Sequence, residues 1–300
     1  MGIPLFYRTL TILVGCLIIL SALFLLVGQV AFARQDVIAF TSNRSGSLDL
    51  YLIDTRLKII HDLTFQSTEN FSPAWSPDGR QLAFASRRNG LPGLFVTDLG
   101  REVRAVTNGG GISSFPEWSN EGSHLTYVSS GMRSLRMQSV DVVSSETHVI
   151  HTGPPVPQSR ASWSPVQDTL AFAGSEGITH GIYLVEADGT NVRQIANQRT
   201  QRATPIDSAW RAPAWSPDGT RIAYSNNGIN IVDVLSGEVE QLSRGFHGAP
   251  SWSPDGQRLA FVTVEGGNWD IYIMNAEGGS VQRLTYHARA DFDPVWKPYD

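Results

Sequence analysis

The segment Pro250-Ser251-Trp252-Ser253-Pro254-Asp255-Gly256 appears three times in this 300-residue chain in nearly the same form. The other two copies are Pro73-Ala74-Trp75-Ser76-Pro77-Asp78-Gly79 and Pro213-Ala214-Trp215-Ser216-Pro217-Asp218-Gly219. The complete series of tryptophans at this position is Trp75, Trp118, Trp163, Trp215, Trp252 and Trp296. They recur at steps of 37 to 52 residues. A period of this size indicates a repeat architecture, in which each unit buries its apolar face against its neighbours.

The unit around Trp252 predicts four short strands joined by tight turns. Its first strand spans 247–252 and is followed by Ser253-Pro254-Asp255-Gly256, a turn in which proline fixes φ and glycine accepts a positive φ. Alternating apolar residues predict a second strand at 258–262, a third at 269–274 and a fourth at 281–285. Four antiparallel strands in about 40 residues form one blade of a β-propeller.

The other units follow the same plan, and the two chain ends share one unit. The predicted blades between the ends are 72–107, 115–150, 161–195 and 212–242. Residues 37–64 hold a second, a third and a fourth strand without a first, whereas 292–296 is a first strand with nothing after it. We therefore predict an all-β fold over 34–300, a six-bladed β-propeller of four-stranded antiparallel blades. Pairing of the C-terminal strand with the N-terminal blade would close the ring and leave no open sheet edge.

Residues 1–33 are expected to form one hydrophobic helix that precedes the propeller. The stretch from Leu10 to Val27 carries no charge, and Ala31 and Ala33 form an A-x-A-like cleavage site. The segment is therefore either a cleaved signal peptide or an uncleaved transmembrane anchor. Both alternatives place the propeller outside the cytoplasm, in the periplasm or at the cell surface. Cys16 resembles a lipobox cysteine, but the apolar run continues beyond it, which favours an ordinary residue of the hydrophobic segment.

Composition and motifs exclude several functional classes. The formal net charge of −5 argues against a broad nucleic-acid-binding face. The chain has no Gly-x-Ser-x-Gly nucleophile elbow and no phosphate-binding glycine loop between a strand and a helix. His148 and His151 are three residues apart near a strand end, where such residues point to opposite faces, so they do not suggest a metal site. We predict no catalytic residue, no cofactor and no bound metal.

The repeat resembles the TolB-type β-propeller family, a WD40-like unit also called PD40. The resemblance rests on the Trp-Ser-Pro-Asp-Gly copies, on Asp-Ile-Tyr-Ile-Met-Asn at 270–275 and on Arg-Leu-Thr at 283–285. It extends over 37–296 and is weakest near Trp163, where Pro165-Val166-Gln167-Asp168 replaces the usual turn. The resemblance implies a six-bladed propeller. The namesake of the family is a periplasmic partner of a peptidoglycan-associated lipoprotein and has an N-terminal α/β domain, which we do not expect here because Ala33 lies just before the first strand.

The candidate binding residues come from loops, where function on such scaffolds usually lies. The loops between second and third strands and the loops between blades share one face of a propeller, which we call the loop-rich face. The longest predicted loop, 196–211, is rich in arginine and includes a tryptophan, a composition typical of interface hot spots. The candidate partner-binding residues are Arg88, Arg160, Arg199, Arg202, Trp210, Arg211, His247, Trp269 and Asp291.

Two functional hypotheses follow. The first is an exported or membrane-tethered, monomeric and non-catalytic propeller that binds a protein or an envelope polymer through the loop-rich face. The alternative is a propeller enzyme, of the lyase, lactonase or glycosidase type, with a site in the central channel. The six repeated tryptophans are expected to pack between blades rather than to bind a ligand.

Overall fold

The computed structural model describes residues 36–64, 68–88, 90–99, 102–107, 111–130, 135–198 and 212–298. Within these ranges the chain forms six antiparallel sheets, which are the six blades of a propeller. The predicted leader, 1–33, lies outside them. No helix among the described residues is long and apolar enough to cross a membrane.

The strands are short and follow the repeat of the sequence. Those of the N-terminal half are β1 (Val37–Ser42), β2 (Asp49–Asp54), β3 (Ile60–Asp62), β4 (Asn70–Trp75), β5 (Leu82–Ser86), β6 (Gly93–Thr97), β7 (Val103–Ala105), β8 (Ile112–Trp118), β9 (His124–Ser130), β10 (Leu135–Asp141) and β11 (Thr147–Thr152). Those of the C-terminal half are β12 (Val156–Pro157), β13 (Ser162–Trp163), β14 (Thr169–Glu176), β15 (Thr179–Glu186), β16 (Arg193–Gln198), β17 (Ala214–Trp215), β18 (Arg221–Ser225), β19 (Ile229–Asp233), β20 (Val239–Gln241), β21 (His247–Trp252), β22 (Arg258–Thr263), β23 (Asp270–Asn275), β24 (Gln282–Arg283) and β25 (Asp291–Trp296).

Each blade pairs its strands in sequence order from the centre outward, with two departures. The sheet that begins the chain has the order β25-β1-β2-β3, so its inner strand comes from the C-terminus, with Ala39 opposite Val295. In the fourth blade the inner strand is split into β12 and β13, which both pair with β14. The sequence predicts a single strand there, starting at Ala161. Arg160 lies between the two pieces, and its side chain lines the central channel.

A bulge interrupts the inner strand of four blades at the same point. The residue before the proline adopts a positive φ, at Ser72 (53°), Phe115 (60°), Ala249 (48°) and Asp293 (53°). A positive φ is unfavourable for a residue with a side chain, and it persists where the surrounding structure enforces it. The bulge shifts the ladder register, so the residue between the proline and the tryptophan lines the channel.

The repeated tryptophans join each blade to the one before it. Trp118 belongs to an apolar cluster with Ala83 and Leu94 of the preceding blade. Its indole Nε1 also donates a hydrogen bond to the Ala74 carbonyl, 3.1 Å away, and Trp252 does the same to Ala214. Each acceptor directly precedes the tryptophan of the preceding blade. The tryptophans are therefore packing residues between blades, as the sequence predicts.

A serine before the preceding tryptophan changes this link. Ser162 and Ser251 accept a hydrogen bond at their hydroxyls from the backbone N–H of Trp215 and of Trp296, at 3.3 and 3.1 Å. The indole N–H groups of these two tryptophans are buried without a hydrogen-bond partner in the described part of the chain. Beside alanine, the indole N–H of the next tryptophan is hydrogen-bonded, as for Trp118 and Trp252. Beside serine, the backbone N–H of the next tryptophan is hydrogen-bonded instead.

The pairing of β1 with β25 predicts that the two chain ends can be crosslinked. Because Ala39 and Val295 are directly opposite, replacing both with cysteine should give a disulfide within one chain. The crosslink should stabilise the fold by about 2–4 kcal/mol, because it restricts the unfolded chain. Electrophoretic mobility without reductant and the urea unfolding midpoint measure the two effects.

The control for this experiment is Ala39→Cys alone, which retains Cys16 as the other thiol of the chain. A double variant that remains folded but forms no intramolecular disulfide would contradict closure of the ring by the C-terminal strand.

Candidate functional site

The inner strands surround a central channel that has two different ends. One end opens on the Pro-Asp-Gly face, which carries the turns that follow the tryptophans. There the channel widens into a cavity of about 400 Å³, which we call the tryptophan funnel. Its aromatic lining is Trp75, Trp118, Trp163, Trp215, Trp252 and Trp296. The other end opens on the loop-rich face.

At the loop-rich end, the first residue of an inner strand bonds to a side chain from its own blade. The buried carboxylate of Asp291 accepts hydrogen bonds from Nη2 of Arg44, 2.8 Å from each oxygen. The guanidinium of Arg44 also lies 4.8 Å from the centre of the Tyr51 ring. Asp291 is therefore a fixed part of the channel mouth rather than a free ligand group.

The same position is occupied by a different pair in two other blades. Nη2 of Arg88 donates to Oδ1 of Asn70 at 3.2 Å, and the guanidinium lies over the Phe95 ring at 4.6 Å. His247 is buried, with Nε2 2.9 Å from a carboxylate oxygen of Glu265 and Nδ1 2.7 Å from the Ser243 hydroxyl. Three of the predicted site residues, Arg88, His247 and Asp291, thus take part in equivalent pairs around one mouth.

Another candidate on this face, Trp269, lies in the loop between the second and third strands of the sixth blade. Trp269 is half-buried beside Asn268, whose Nδ2 donates to the carbonyls of His287 and Arg289 at 3.1 and 2.7 Å. This ties the loop of the sixth blade to the next interblade loop. The predicted residues Arg199, Arg202, Trp210 and Arg211 lie outside the described residues.

Exposed apolar side chains on the loop-rich face were missed by the sequence reasoning. Phe246 and Tyr286 lie in consecutive interblade loops and are 65% and 67% exposed. Ile178 and Leu91, in loops between second and third strands, are also exposed. Their position in the sequence could have identified them. An apolar residue in a turn between two predicted strands is not expected to be buried in the core, so it is expected to be exposed.

Arg160 lies in the middle of the channel instead of at its surface. It is 9% exposed, Nη1 donates to the Pro73 carbonyl at 3.3 Å, and Nε is 3.7 Å from a carboxylate oxygen of Glu117. Asp293 is also buried and accepts a hydrogen bond from the Ser72 hydroxyl at 3.4 Å. The Arg160 guanidinium therefore interacts electrostatically with two carboxyl groups that come from different blades.

The channel alters the acidity of both carboxyl groups. Burial raises the pKa of Glu117 to about 7, and the nearby charge of Arg160 offsets only part of that effect. Burial likewise raises the pKa of Asp293, against the opposing effects of Arg160 and of the hydrogen bonds from Ser72. Glu117 is enclosed by the blades, yet 26% of its side chain is exposed because it faces the channel.

Glu117 and Asp293 were not among the predicted site residues, because they are far apart in sequence. The signal was available in the repeat itself. Glu117 lies one residue before Trp118, whereas Arg160 and Asp293 lie three residues before Trp163 and Trp296. Most other blades have small residues at these positions. Among the described residues, no group of three or more His, Cys, Asp or Glu side chains could hold a metal ion.

The raised pKa of Glu117 predicts that Glu117→Gln stabilises the protein in base. A carboxyl group with a higher pKa in the folded state stabilises the fold below its ordinary pKa, and this stability is lost as the pH rises through about 7. The neutral amide should therefore raise the free energy of unfolding at pH 8.5 by up to about 3 kcal/mol and change it little at pH 4.5. Urea unfolding at the two pH values measures the difference.

Glu121→Gln is the matched control, because Glu121 is an exposed carboxylate on the same face and its pKa is lowered rather than raised. If both substitutions changed the free energy of unfolding equally at pH 8.5, burial of Glu117 in the channel could not be the cause of its effect.

Comparison with known proteins agrees with this architecture. The family model PD40, described as the TolB beta propeller domain, matches residues 33–211 and 200–300. A protein TolB homolog of Chlorobium luteolum is 28% identical over 207 residues, which is 67% of this chain and 35% of that relative. The Tol-Pal system protein TolB of Desulfosudis oleivorans is 37% identical over 84 residues, 28% of this chain and 19% of that relative. The matched region thus spans about a third or less of these relatives' length.

A solved structure has the same fold. The crystal structure of TolB from Acinetobacter baumannii superposes with a TM-score of 0.74 at 22% identity and covers 88% of this chain and 67% of that one. With the family model matching nearly all of the described residues, the chain belongs to the TolB beta propeller (PD40) family.

Proposed function

We propose that this protein is a non-catalytic, monomeric binding module of the cell envelope, which captures a protein partner through its loop-rich face. The observation that supports this best is the pair of exposed aromatic side chains, Phe246 and Tyr286, beside a channel mouth whose polar groups are already bonded to one another. Exposed aromatic groups on a rigid frame are typical of interface hot spots. The relative named as a Tol-Pal system protein supports an assembly role.

The surroundings of Tyr286 favour binding without large rearrangement. The guanidinium of Arg283 lies 4.8 Å from the centre of the Tyr286 ring, and its Nη2 donates to Asp270 at 2.6 Å. The Tyr286 hydroxyl donates to the Arg283 carbonyl at 3.0 Å. An exposed ring that is held in place loses little freedom when a partner covers it, which reduces the entropic cost of association.

The N-terminal end of the propeller supports an orientation. Asp36 bonds to Arg258, with Oδ1 2.7 Å from Nη2, and Arg258 lies two residues after Gly256 of the Pro-Asp-Gly turn of the sixth blade. The chain therefore enters the fold at the Pro-Asp-Gly face. If residues 10–33 anchor the protein in the membrane, the loop-rich face points away from the bilayer, where a partner can reach it. We propose a periplasmic or cell-surface location on this basis.

The alternative, a propeller enzyme with a site in the channel, has Glu117 and Asp293 as its candidate acid and base. We favour the binding role because the Arg160 guanidinium acts electrostatically on both carboxyl groups and is a counter-ion for them.

The proposed role predicts that Phe246→Ala with Tyr286→Ala reduces partner capture. Because hot-spot aromatic residues each contribute about 1–2 kcal/mol or more, the double variant should bind at least about tenfold more weakly. A crosslinking pulldown from the native envelope identifies the partner, and a binding titration with that partner measures the loss. Arg202→Ala with Trp210→Ala tests the predicted long loop in the same assay.

Leu235→Ala is the matched control, because Leu235 is 98% exposed in a turn on the opposite face. A double variant of Phe246 and Tyr286 that binds as tightly as the unmodified protein would exclude this part of the loop-rich face.

A further inference from the structure

The tryptophan funnel on the Pro-Asp-Gly face is a preformed cavity that the proposed partner-binding face does not use. Its wall combines indole rings with prolines such as Pro77, Pro217 and Pro254, which follow the tryptophans. Both residue types are stiff, so the cavity keeps its shape. A cavity of about 400 Å³ has the size of a small-ligand site.

One acidic side chain, Glu117, is present among the residues that line this cavity in the described part of the chain. Its carboxylate accepts no hydrogen bond there, since Nε of Arg160 at 3.7 Å is too far away for one. Although the blades enclose Glu117, 26% of its side chain is exposed and faces the cavity. A half-buried acceptor in an apolar pocket has capacity for a donor from outside.

Glu117 shares its cationic neighbour, Arg160, with a second carboxyl group. Among the described residues, Arg160 is the one basic residue of the lining, and its Nη1 is already bonded to the Pro73 carbonyl. The same guanidinium also acts on Asp293, which is buried too. When both carboxyl groups are ionised, the three groups carry one excess negative charge. A positively charged group entering the funnel would balance it.

The indole rings of the funnel already accept guanidinium groups from this chain. Arg221 lies 4.9 Å from the centre of the Trp252 ring, and Arg258 lies 4.8 Å from that of Trp296. Such stacking is favourable because the faces of aromatic rings carry partial negative charge. Neither arginine lines the cavity, and the two contacts show that these indole rings can pair with a guanidinium.

We propose that the tryptophan funnel binds an arginine side chain of a partner protein, with Glu117 as its counter-ion. The carboxylate offers two oxygens to the forked N–H groups of a guanidinium, and the indoles and prolines cover the apolar stem. This site lies on the face opposite to Phe246 and Tyr286, so it does not depend on the function proposed above.

The site should respond to pH in one direction. The charged group that faces Glu117 is Arg160, which also acts on the buried carboxyl group of Asp293. Because burial raises the pKa of Glu117 to about 7, the carboxyl group is mostly neutral at pH 5.5 and mostly ionised at pH 8.5. A cationic ligand should bind more tightly at the higher pH, and a neutral ligand should not distinguish the two.

The test compares N-acetyl-arginine amide with N-acetyl-citrulline amide, which has nearly the same shape and no charge. Tryptophan fluorescence of the full chain follows the titration, because the ligands would contact the funnel indoles. At pH 8.5 the arginine ligand should bind at least about tenfold more tightly than the citrulline ligand, and the ratio should fall at pH 5.5. Equal binding of the two ligands by the unmodified protein at pH 8.5 would overturn the proposal.

Glu117→Gln should abolish the preference for arginine, whereas Glu121→Gln, an exposed carboxylate on the same face, should retain it. A preference that persists in a folded Glu117→Gln variant would also overturn the proposal. The comparison of ligands on the unmodified protein needs no variant, so it stands even if one substitution prevents folding.

Discussion

The structure depends on the contact that each inner-strand tryptophan makes with the preceding blade. A four-stranded blade has two apolar faces, and neither can be buried without a neighbour. Trp118 and Trp252 fill this interface with an indole ring and add a hydrogen bond to the backbone of the preceding blade. Repeated around the circle, one contact of this kind fixes the spacing of the blades and leaves a channel at the centre.

That arrangement separates the core from the channel and so allows charged residues inside the molecule. The apolar clusters lie between blades, whereas the bulge in the inner strand turns the residues before the tryptophan toward the axis. Ala74 and Ala214, at the equivalent position of two other blades, belong to apolar clusters and also line the channel, whereas Glu117 places a carboxyl group there. The cost of removing its charge from water is reduced by Arg160 and by exposure to the channel, and it remains visible as a raised pKa.

At the channel mouth on the loop-rich face, the first residue of the inner strand differs in chemical type between blades. Asp291, Asn70 and His247 are equivalent residues of three inner strands. Their partners are Arg44, Arg88 and Glu265, which follow the second strand of the same blade. The pairs differ in charge but keep the same geometry, because the backbone of the repeat sets the distance. The residues that differ between blades, rather than the shared motif, therefore determine the charge and the hydrogen-bonding groups of this face.

The sequence by itself determined the repeat, the number of blades and most strand positions. The Trp-Ser-Pro-Asp-Gly signature is local: the turn forms from its own residues, as in the hydrogen bond from the Ser253 hydroxyl to Asp255 at 2.5 Å. The predicted first strand 247–252 agrees with β21, whereas the predicted fourth strand 281–285 shortens to Gln282–Arg283. Outer strands have little burial to define their ends, so pattern alone overestimates them.

Only the tertiary structure decided which distant residues meet. Arg160 was predicted in a surface loop, but it lies in the channel, 3.7 Å from Glu117 of the third blade, and acts on Asp293 of the first. Arg88, His247 and Asp291 were identified as candidates from loop position, but their bonded partners were not. The periodicity of apolar residues predicts which side chains are buried within a blade, because this burial follows the alternation along each strand. The composition of the channel depends on how six separate segments converge on one axis, which no pattern along a single strand reports.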